Sequence, residues 1–322
     1  MPYSLNILYN YRSINDLSLS IRKNLYKIPE NIDLIVGIPR SGMLAANIIA
    51  LLSNKQLTDL SGFYEDAQLY AGSRLSCKIN KASEAKNVLV VDDSVYSGAS
   101  LDKVKEKVKK INRQQKITYC AIYSIEKSKK IPDIYFEIVP DPRLFEWNIL
   151  NHAILSRCCV DIDGVLCRDP TAKENDDGKA YKDFIKNVLP MSVPSNKIGN
   201  LVTSRLEKYR LETENWLEKN DIKYDKLHML DLPDAETRRR KKCHGSFKAE
   251  VYEKIIGSEM FIESDERQSI EISQKSGKPV ICWETQKMYY PNISYELVKA
   301  RSNFLIFRII NKIKKIIGVQ TI

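Results

Sequence analysis

The chain has 322 residues, more than one ordinary hydrophobic core organises, so two domains of roughly 150 residues each are expected. Apolar residues make up 43% and charged residues 29%, which excludes a disordered or fibrous chain. The net charge of +10 favours polyanionic or phosphorylated partners, while the lack of any helix-turn-helix, zinc-finger or RNP-type pattern beside the basic runs argues against nucleic acid.

The seven cysteines form no CxxC pair and read as reduced, mostly buried thiols of a cytoplasmic protein. No signal-type charged and apolar regions open the sequence, and no apolar run reaches membrane-spanning length. In chain order, short apolar runs predict strands at 33–37, 87–92, 117–122, 158–161, 200–203, 260–262 and 279–283. The first two are each followed by a predicted helix, at 42–53 and 100–110. Such alternation indicates an α/β class with mostly parallel sheets flanked by helices, and ligands at the carboxyl ends of the strands. The stretch 60–86 reads as a mobile loop or hairpin, and 169–197, with its polar run and two prolines, as an insertion.

Two segments in the first half carry chemistry. The run VLVVDDSVYSGAS, from Val88 to Ser100, predicts a strand ending in Asp92 and Asp93, then a small-residue loop, then a helix. Ser94, Ser97, Gly98, Ala99 and Ser100 at a helix N-terminus would offer N–H groups, hydroxyls and a positive dipole end to a phosphate. The two carboxylates would accept hydrogen bonds from vicinal sugar hydroxyls. Upstream, DLIVGIPRSGMLAA makes another strand, tight turn and helix start, with Arg40, Ser41 and Gly42 in the turn.

Together these segments resemble the type I phosphoribosyltransferase family, whose signature is an apolar strand, two acidic residues and a hydroxyl-Gly-x-hydroxyl loop; serines stand here for the commoner threonines. The resemblance implies binding of phosphoribosyl pyrophosphate by Arg40, Ser41, Gly42, Asp92, Asp93, Ser94, Ser97, Gly98, Ala99 and Ser100, with Asp92 and Asp93 at the reacting ribose. Residues 64–76, with Arg74, occupy the place of the family's closing loop, and 141–152 that of the acceptor-reading hood. Phe145 and Trp147 in the hood would either stack on a base or sugar, or pack as buried aromatics.

In the second half, CCVDIDGVL delivers Asp161 and Asp163 at the end of an apolar strand with glycine following. Downstream, in order, come Thr203 at a strand end, Lys248 in HGSFKAEVY, and Glu263 and Asp265 in FIESDERQ. This order resembles the haloacid dehalogenase superfamily. The resemblance implies Asp161 as nucleophile, Asp163 as general acid and base, Thr203 on a phosphoryl oxygen and Lys248 neutralising charge. It also implies a Mg²⁺ site from Asp161, Asp163 and Asp265 with help from Glu263, the direct ligand of the last two being left open by their spacing. An acid at Asp163 favours phosphate ester hydrolysis over dehalogenation.

The expected organisation is a phosphoribosyltransferase-like domain at 1–155, a Rossmann-like phosphatase domain at 156–295 and a basic amphipathic helix at 296–322. That helix would either lie on the inner face of an anionic membrane or pack on the phosphatase core. A tethered phosphatase makes sense where the 5-phosphate is needed for donor recognition but unwanted in the product. The pairing resembles dual-domain ribofuranosyltransferases of bacterial polysaccharide assembly, implying a glycan or lipid-linked glycan acceptor. Two alternatives are a nucleobase (orotate or purine) transferase fused to a metabolite phosphatase, and a non-catalytic regulator that binds phosphoribosyl pyrophosphate or a nucleotide.

Overall fold

The computed structural model describes residues 9–75, 78–111 and 113–291. The described residues divide into two compact units, Tyr9–Trp147 and 148–291, so the break falls at 147/148 where the sequence suggested 155/156. The segment 296–322 lies outside the described residues.

The first unit contains, in order, β1 (Asn10–Arg12), α1 (Ile14–Asn24), β2 (Leu34–Gly37), α2 (Gly42–Ser53), β3 (Gln56–Asp59), α3 (Leu60–Tyr64), β4 (Asn87–Val95), α4 (Ala99–Lys110), β5 (Lys116–Ser124), β6 (Ile134–Ile138) and β7 (Arg143–Phe145). Five strands form one parallel sheet in the order β3-β2-β4-β5-β6, and β1 pairs in parallel with β7 as a separate ribbon.

Alternation along β4 explains the layering. Leu89 and Val91 join a core with Leu17 and Ile21 of α1 and Ala45, Ala46 and Ile49 of α2. Val88 and Val90 join a second core with Phe63 of α3 and Leu101 and Val104 of α4. The helix α2 buries Gly42, Ala45, Ala46, Ile49 and Ala50, a stripe at helical spacing. A reciprocal capping box between Ser13 and Asp16 starts α1.

The second unit contains β8 (Cys158–Val160), α5 (Lys179–Asn187), β9 (Ile198–Leu206), α6 (Arg210–Lys219), β10 (Tyr224–Leu230), α7 (Ala235–Lys241), α8 (His244–Lys254), β11 (Met260–Glu263), α9 (Glu266–Ser276), β12 (Val280–Cys282) and β13 (Lys287–Tyr289). Its sheet runs β10-β9-β8-β11-β12-β13, parallel except for the last pair. The strand β8 is central and wholly buried, so the residues directly after it emerge in the middle of the sheet's carboxyl edge.

Two expectations change. The stretch 169–197 is not simply an insertion, because α5 buries Tyr181, Phe184 and Ile185, and the Val188 carbonyl accepts the Trp216 indole N–H at 2.7 Å. The stretch 60–86 contains α3 and a single antiparallel bridge, Gln68 to Lys81. The six described cysteines are free thiols, five of them buried. Among the described residues no helix is long and apolar enough to cross a membrane.

At the start of α4, Gly98 has φ +85°, and a β-carbon there would lie 2.3 Å from Ile131 Cδ1. Both the left-handed backbone and the contact require glycine. Gly98→Ala is therefore expected to lower stability by about 1–3 kcal/mol, read as a shift in the urea midpoint with unchanged slope.

Candidate active sites

In the first unit, β2 and β4 are neighbours, so the loops leaving their carboxyl ends share one edge of the sheet. Gly42 opens α2 against β4 so closely that a β-carbon there would meet the Val91 carbonyl at 2.8 Å and the Asp92 Cα at 3.1 Å. The preceding Ser41 donates its hydroxyl to Asp93 at 2.7 Å, joining the two motifs by a side-chain bond. Arg40 is exposed and follows a cis peptide bond with Pro39. Burial, then the adjacent Asp93 charge, push Asp92 up to about 8.

The strand β4 runs on through both carboxylates to Val95, so Ser94 is not in the phosphate-type loop. It pairs with Tyr123 in the sheet, and its hydroxyl is buried without a hydrogen-bond partner. The apolar residues Val95 and Tyr123, both buried, hold this extension in the sheet. The loop proper is Tyr96, Ser97 and Gly98, with Ala99 and Ser100 exposed in the first turn of α4; the Ala99 N–H reaches Ser97 Oγ at 3.4 Å. These N–H groups and hydroxyls suit a phosphate.

The β1–β7 ribbon stands in the hood's place. Tyr123, Phe145 and Trp147 stack nearly parallel, with Phe145–Trp147 centroids 4.9 Å apart. The Trp147 indole N–H donates to Asp93 at 3.0 Å, so both Asp93 oxygens are engaged, one by the α2 turn and one by the hood. The pair therefore packs against its neighbours. Arg143, 9% exposed, lies between the Tyr96 and Phe145 rings at 5.2 and 5.5 Å. The Arg74 carbonyl accepts from Asn54 at the far end of α2, about 18 Å along that helix from Gly42, so this part of 64–76 docks away from the loops.

The second unit gathers its motif residues around Lys248. The Lys248 ammonium donates at 2.7 Å to Asp161 and at 2.7 Å to Glu263, and at 3.1 Å to Gln268. All three charged side chains are buried, at 3%, 5% and 0% exposure respectively. Burial opposes the Lys248 charge, but the two carboxylates outweigh it and hold the ammonium above the usual lysine range. Thr203 is fully buried on β9 and accepts the Arg205 N–H at 3.2 Å.

Asp163 is held by a residue the sequence reading passed over. Arg205 donates Nε to Asp163 Oδ2 at 3.0 Å and Nη2 to Oδ1 at 2.6 Å, a two-pronged ion pair with the guanidinium fully buried. Its spacing of two from Thr203 places both on one face of a strand, which is the signal the sequence offered. Asp169 was also missed. Its carboxylate would lie 3.2 Å from a β-carbon on Gly164, and its charge is felt with those of Asp163, Glu263 and Asp265; burial first, then Asp163, raise it.

For the expected metal set, the donors are used unequally. Glu263 Oε1 takes the N–H groups of Ser264 and Asp265 while Oε2 holds Lys248, which makes it the lysine's partner. Asp265 caps α9 through Oδ1 on the Gln268 N–H. Among the described residues no group of three or more His, Cys, Asp and Glu side chains is arranged to hold a metal. Among the described residues the carboxylates of Asp161, Asp163, Asp169, Glu263 and Asp265 nevertheless have Lys248 and Arg205 as their ion-pair partners, an excess of acids over bases that suits an added cation. Asp161, the Asp163 carbonyl and Asp265 would hold one, each already accepting a hydrogen bond within the protein: Asp161 from Lys248 and the Ile162 N–H, the Asp163 carbonyl from the Ser264 hydroxyl and Asp265 from the Gln268 N–H.

Two measurements follow from this geometry. The raised Asp92 binds a proton in the folded state that the unfolded chain has lost above about pH 4, so its contribution to stability falls as pH rises from 4 through 8. Asp92→Asn is expected to flatten that decline and to raise Tm at pH 8.5 by about 3 °C, seen in paired melts across pH. Lys248→Met leaves two buried carboxylates uncompensated and is expected to cost about 3–5 kcal/mol by urea denaturation.

Residues 5–150 match the family model described as phosphoribosyl transferase domain. No curated protein matches the chain. Among solved structures, a Helicobacter pylori xanthine-guanine-hypoxanthine phosphoribosyltransferase aligns at 19% identity and TM-score 0.34, covering 44% of this chain and 94% of that one. A purine phosphoribosyltransferase from Pyrococcus horikoshii Ot3 aligns at 18% identity and TM-score 0.29, covering 42% and 92%. A hypoxanthine phosphoribosyltransferase from Staphylococcus aureus aligns at 15% and 0.28, covering 42% and 78%. The N-terminal part of this chain thus carries the match to a phosphoribosyl transferase domain, over residues 5–150.

Proposed function

We propose that the chain is a bifunctional enzyme that transfers 5-phosphoribosyl from phosphoribosyl pyrophosphate to an acceptor, releasing pyrophosphate, and then hydrolyses the 5-phosphate to leave a ribofuranosyl residue. The observation that carries the reading is Lys248 lying between Asp161 and Glu263, in a chain whose other half matches a phosphoribosyl transferase domain. A haloacid dehalogenase-type phosphatase needs this arrangement: an aspartate directly after a central parallel strand, steadied by a buried ammonium.

At the first site the Ser97–Ser100 turn receives the 5-phosphate, and the Arg40–Gly42 turn receives the pyrophosphate. Asp92 and the Ser41-anchored Asp93 border the ribose, so the protein's work is positioning and charge stabilisation as the anomeric carbon changes partners. At the second site Asp161 attacks phosphorus, Asp163 protonates the departing alkoxide and then takes a proton from water, and Thr203 and Lys248 hold phosphoryl oxygens. Mg²⁺, held by Asp161, the Asp163 carbonyl and Asp265, would supply charge neutralisation there.

A glycan or lipid-linked glycan is our first choice of acceptor. It is supported by the internal stacking of Phe145, Trp147 and Tyr123, and by the commitment of the Trp147 N–H to Asp93, which leave the hood's aromatic groups engaged by the protein. The nucleobase reading is kept because those same rings lie beside Asp93.

The test is release of pyrophosphate and phosphate from Mg²⁺-phosphoribosyl pyrophosphate, with membrane glycolipid extract or a nucleobase panel, by wild type and Asp161→Asn. The expected result is pyrophosphate release with glycolipid alone. The variant should keep that step, lose phosphate release by on the order of 10³-fold or more, and leave a phosphorylated pentose on the glycolipid. Pyrophosphate release with a base and not with glycolipid overturns the acceptor assignment.

A further inference from the structure

The guanidinium of Arg238, on α7, is buried among the described residues with no carboxylate in an ion pair with it. It is 6% exposed, yet its partners are neutral oxygens: Nη1 donates to the Ser204 carbonyl at 2.9 Å and Nη2 to Asn175 Oδ1 at 3.2 Å, and the side chain also hydrogen-bonds the Tyr181 hydroxyl. Its Nε is buried with no hydrogen-bond partner among the described residues. No carboxylate forms an ion pair with it there, in contrast to Arg205, whose charge is met by Asp163. A buried cation without an anion costs several kcal/mol, and a protein tolerates that where a ligand brings the missing charge.

Its neighbours share the same deficit. Ser204 Oγ and Arg205 Nη1 are also buried without partners, and both belong to the strand end that carries Thr203. The charges of Arg205 and Arg238 both reach the buried Tyr181 hydroxyl. Burial, then the charges of Arg238 and Lys248, push His244 down to about 4, which sets Arg238 in the same neighbourhood as Lys248.

We propose that Arg238 is a binding residue for the oxyanion of a phosphomonoester dianion at the second site. An arriving phosphoryl oxygen would replace the Asn175 amide, whose 3.2 Å bond is longer than that to the Ser204 carbonyl, and would exchange a neutral acceptor for a charged one. The inference rests on the reading of that site as phosphate-handling and adds the group that holds the substrate's charge.

The test uses inorganic phosphate as the probe, with the full-length protein. Binding is followed by calorimetry and by phosphate-dependent melting in wild type, Asp161→Asn, Arg238→Gln and Arg238→Lys. Phosphate taken up by the first domain is a background common to all four proteins, so the difference between wild type and Arg238→Gln isolates the second site. The expected result is a binding component in wild type and Asp161→Asn that weakens at least about tenfold in Arg238→Gln and is partly kept in Arg238→Lys. Should Arg238→Gln not fold, Arg238→Lys is read alone, and affinity equal to wild type overturns the proposal. Equal phosphate dependence in wild type and Arg238→Gln also overturns it, as does the absence of any second component in wild type. Phosphate bound through Arg238 without hydrolysis of any ester supports this inference while removing the phosphatase reading. Hydrolysis with an unchanged KM in Arg238→Gln does the reverse.

Discussion

Lys248 is enclosed at the carboxyl edge of a parallel sheet by two carboxylates that could not themselves be buried without it. Asp161 leaves the central strand β8, Glu263 ends its neighbour β11, and the ammonium arrives from α8 to meet both at 2.7 Å. Each charge alone would carry a large desolvation cost in this position. The second site is therefore conditional on all three elements being in register. The hydrogen bonds of Glu263 to Ser264 and Asp265 then fix the turn into α9.

The first site solves a related problem with smaller groups. Two adjacent carboxylates on β4 are half relieved of their repulsion by giving Asp93 two donors, Ser41 and Trp147, while Asp92 is left to rise toward neutrality. The same bonds couple the turn after β2 to the hood. Gly42 makes this possible, since any larger residue would separate α2 from β4. In both units the candidate groups emerge where adjacent parallel strands end, because only there do consecutive loops converge without breaking backbone pairing.

Much of this arrangement was legible. The strands 33–37 and 117–122 and the helix 42–53 appear close to where apolar runs and glycines placed them, and α2 matches to the residue. Asp161, Lys248 and Glu263, singled out from the order of their motifs, meet in the structure, with the lysine between the two acids. Ser94 was misplaced because the serine was read as loop chemistry, whereas apolar Val95 and its neighbour Tyr123 keep β4 extended past the carboxylates. The helix α5 was hidden by the polar run before it, since only packing shows that Tyr181 and Phe184 are core.

By itself the sequence determined the α/β class, the two halves, the acids and hydroxyls at strand ends and the lysine between the last two of those motifs, because apolar periodicity and residue type are local properties of the chain. Tertiary structure alone decided the partners: Trp147 on Asp93, Arg205 on Asp163, and Arg238 buried without an opposing charge. These pairings join residues distant in the chain, 54 positions apart for Trp147 and Asp93 and 42 for Arg205 and Asp163. Whether a charge is neutralised depends on what the fold brings within about 3 Å of it, a distance that no local pattern encodes.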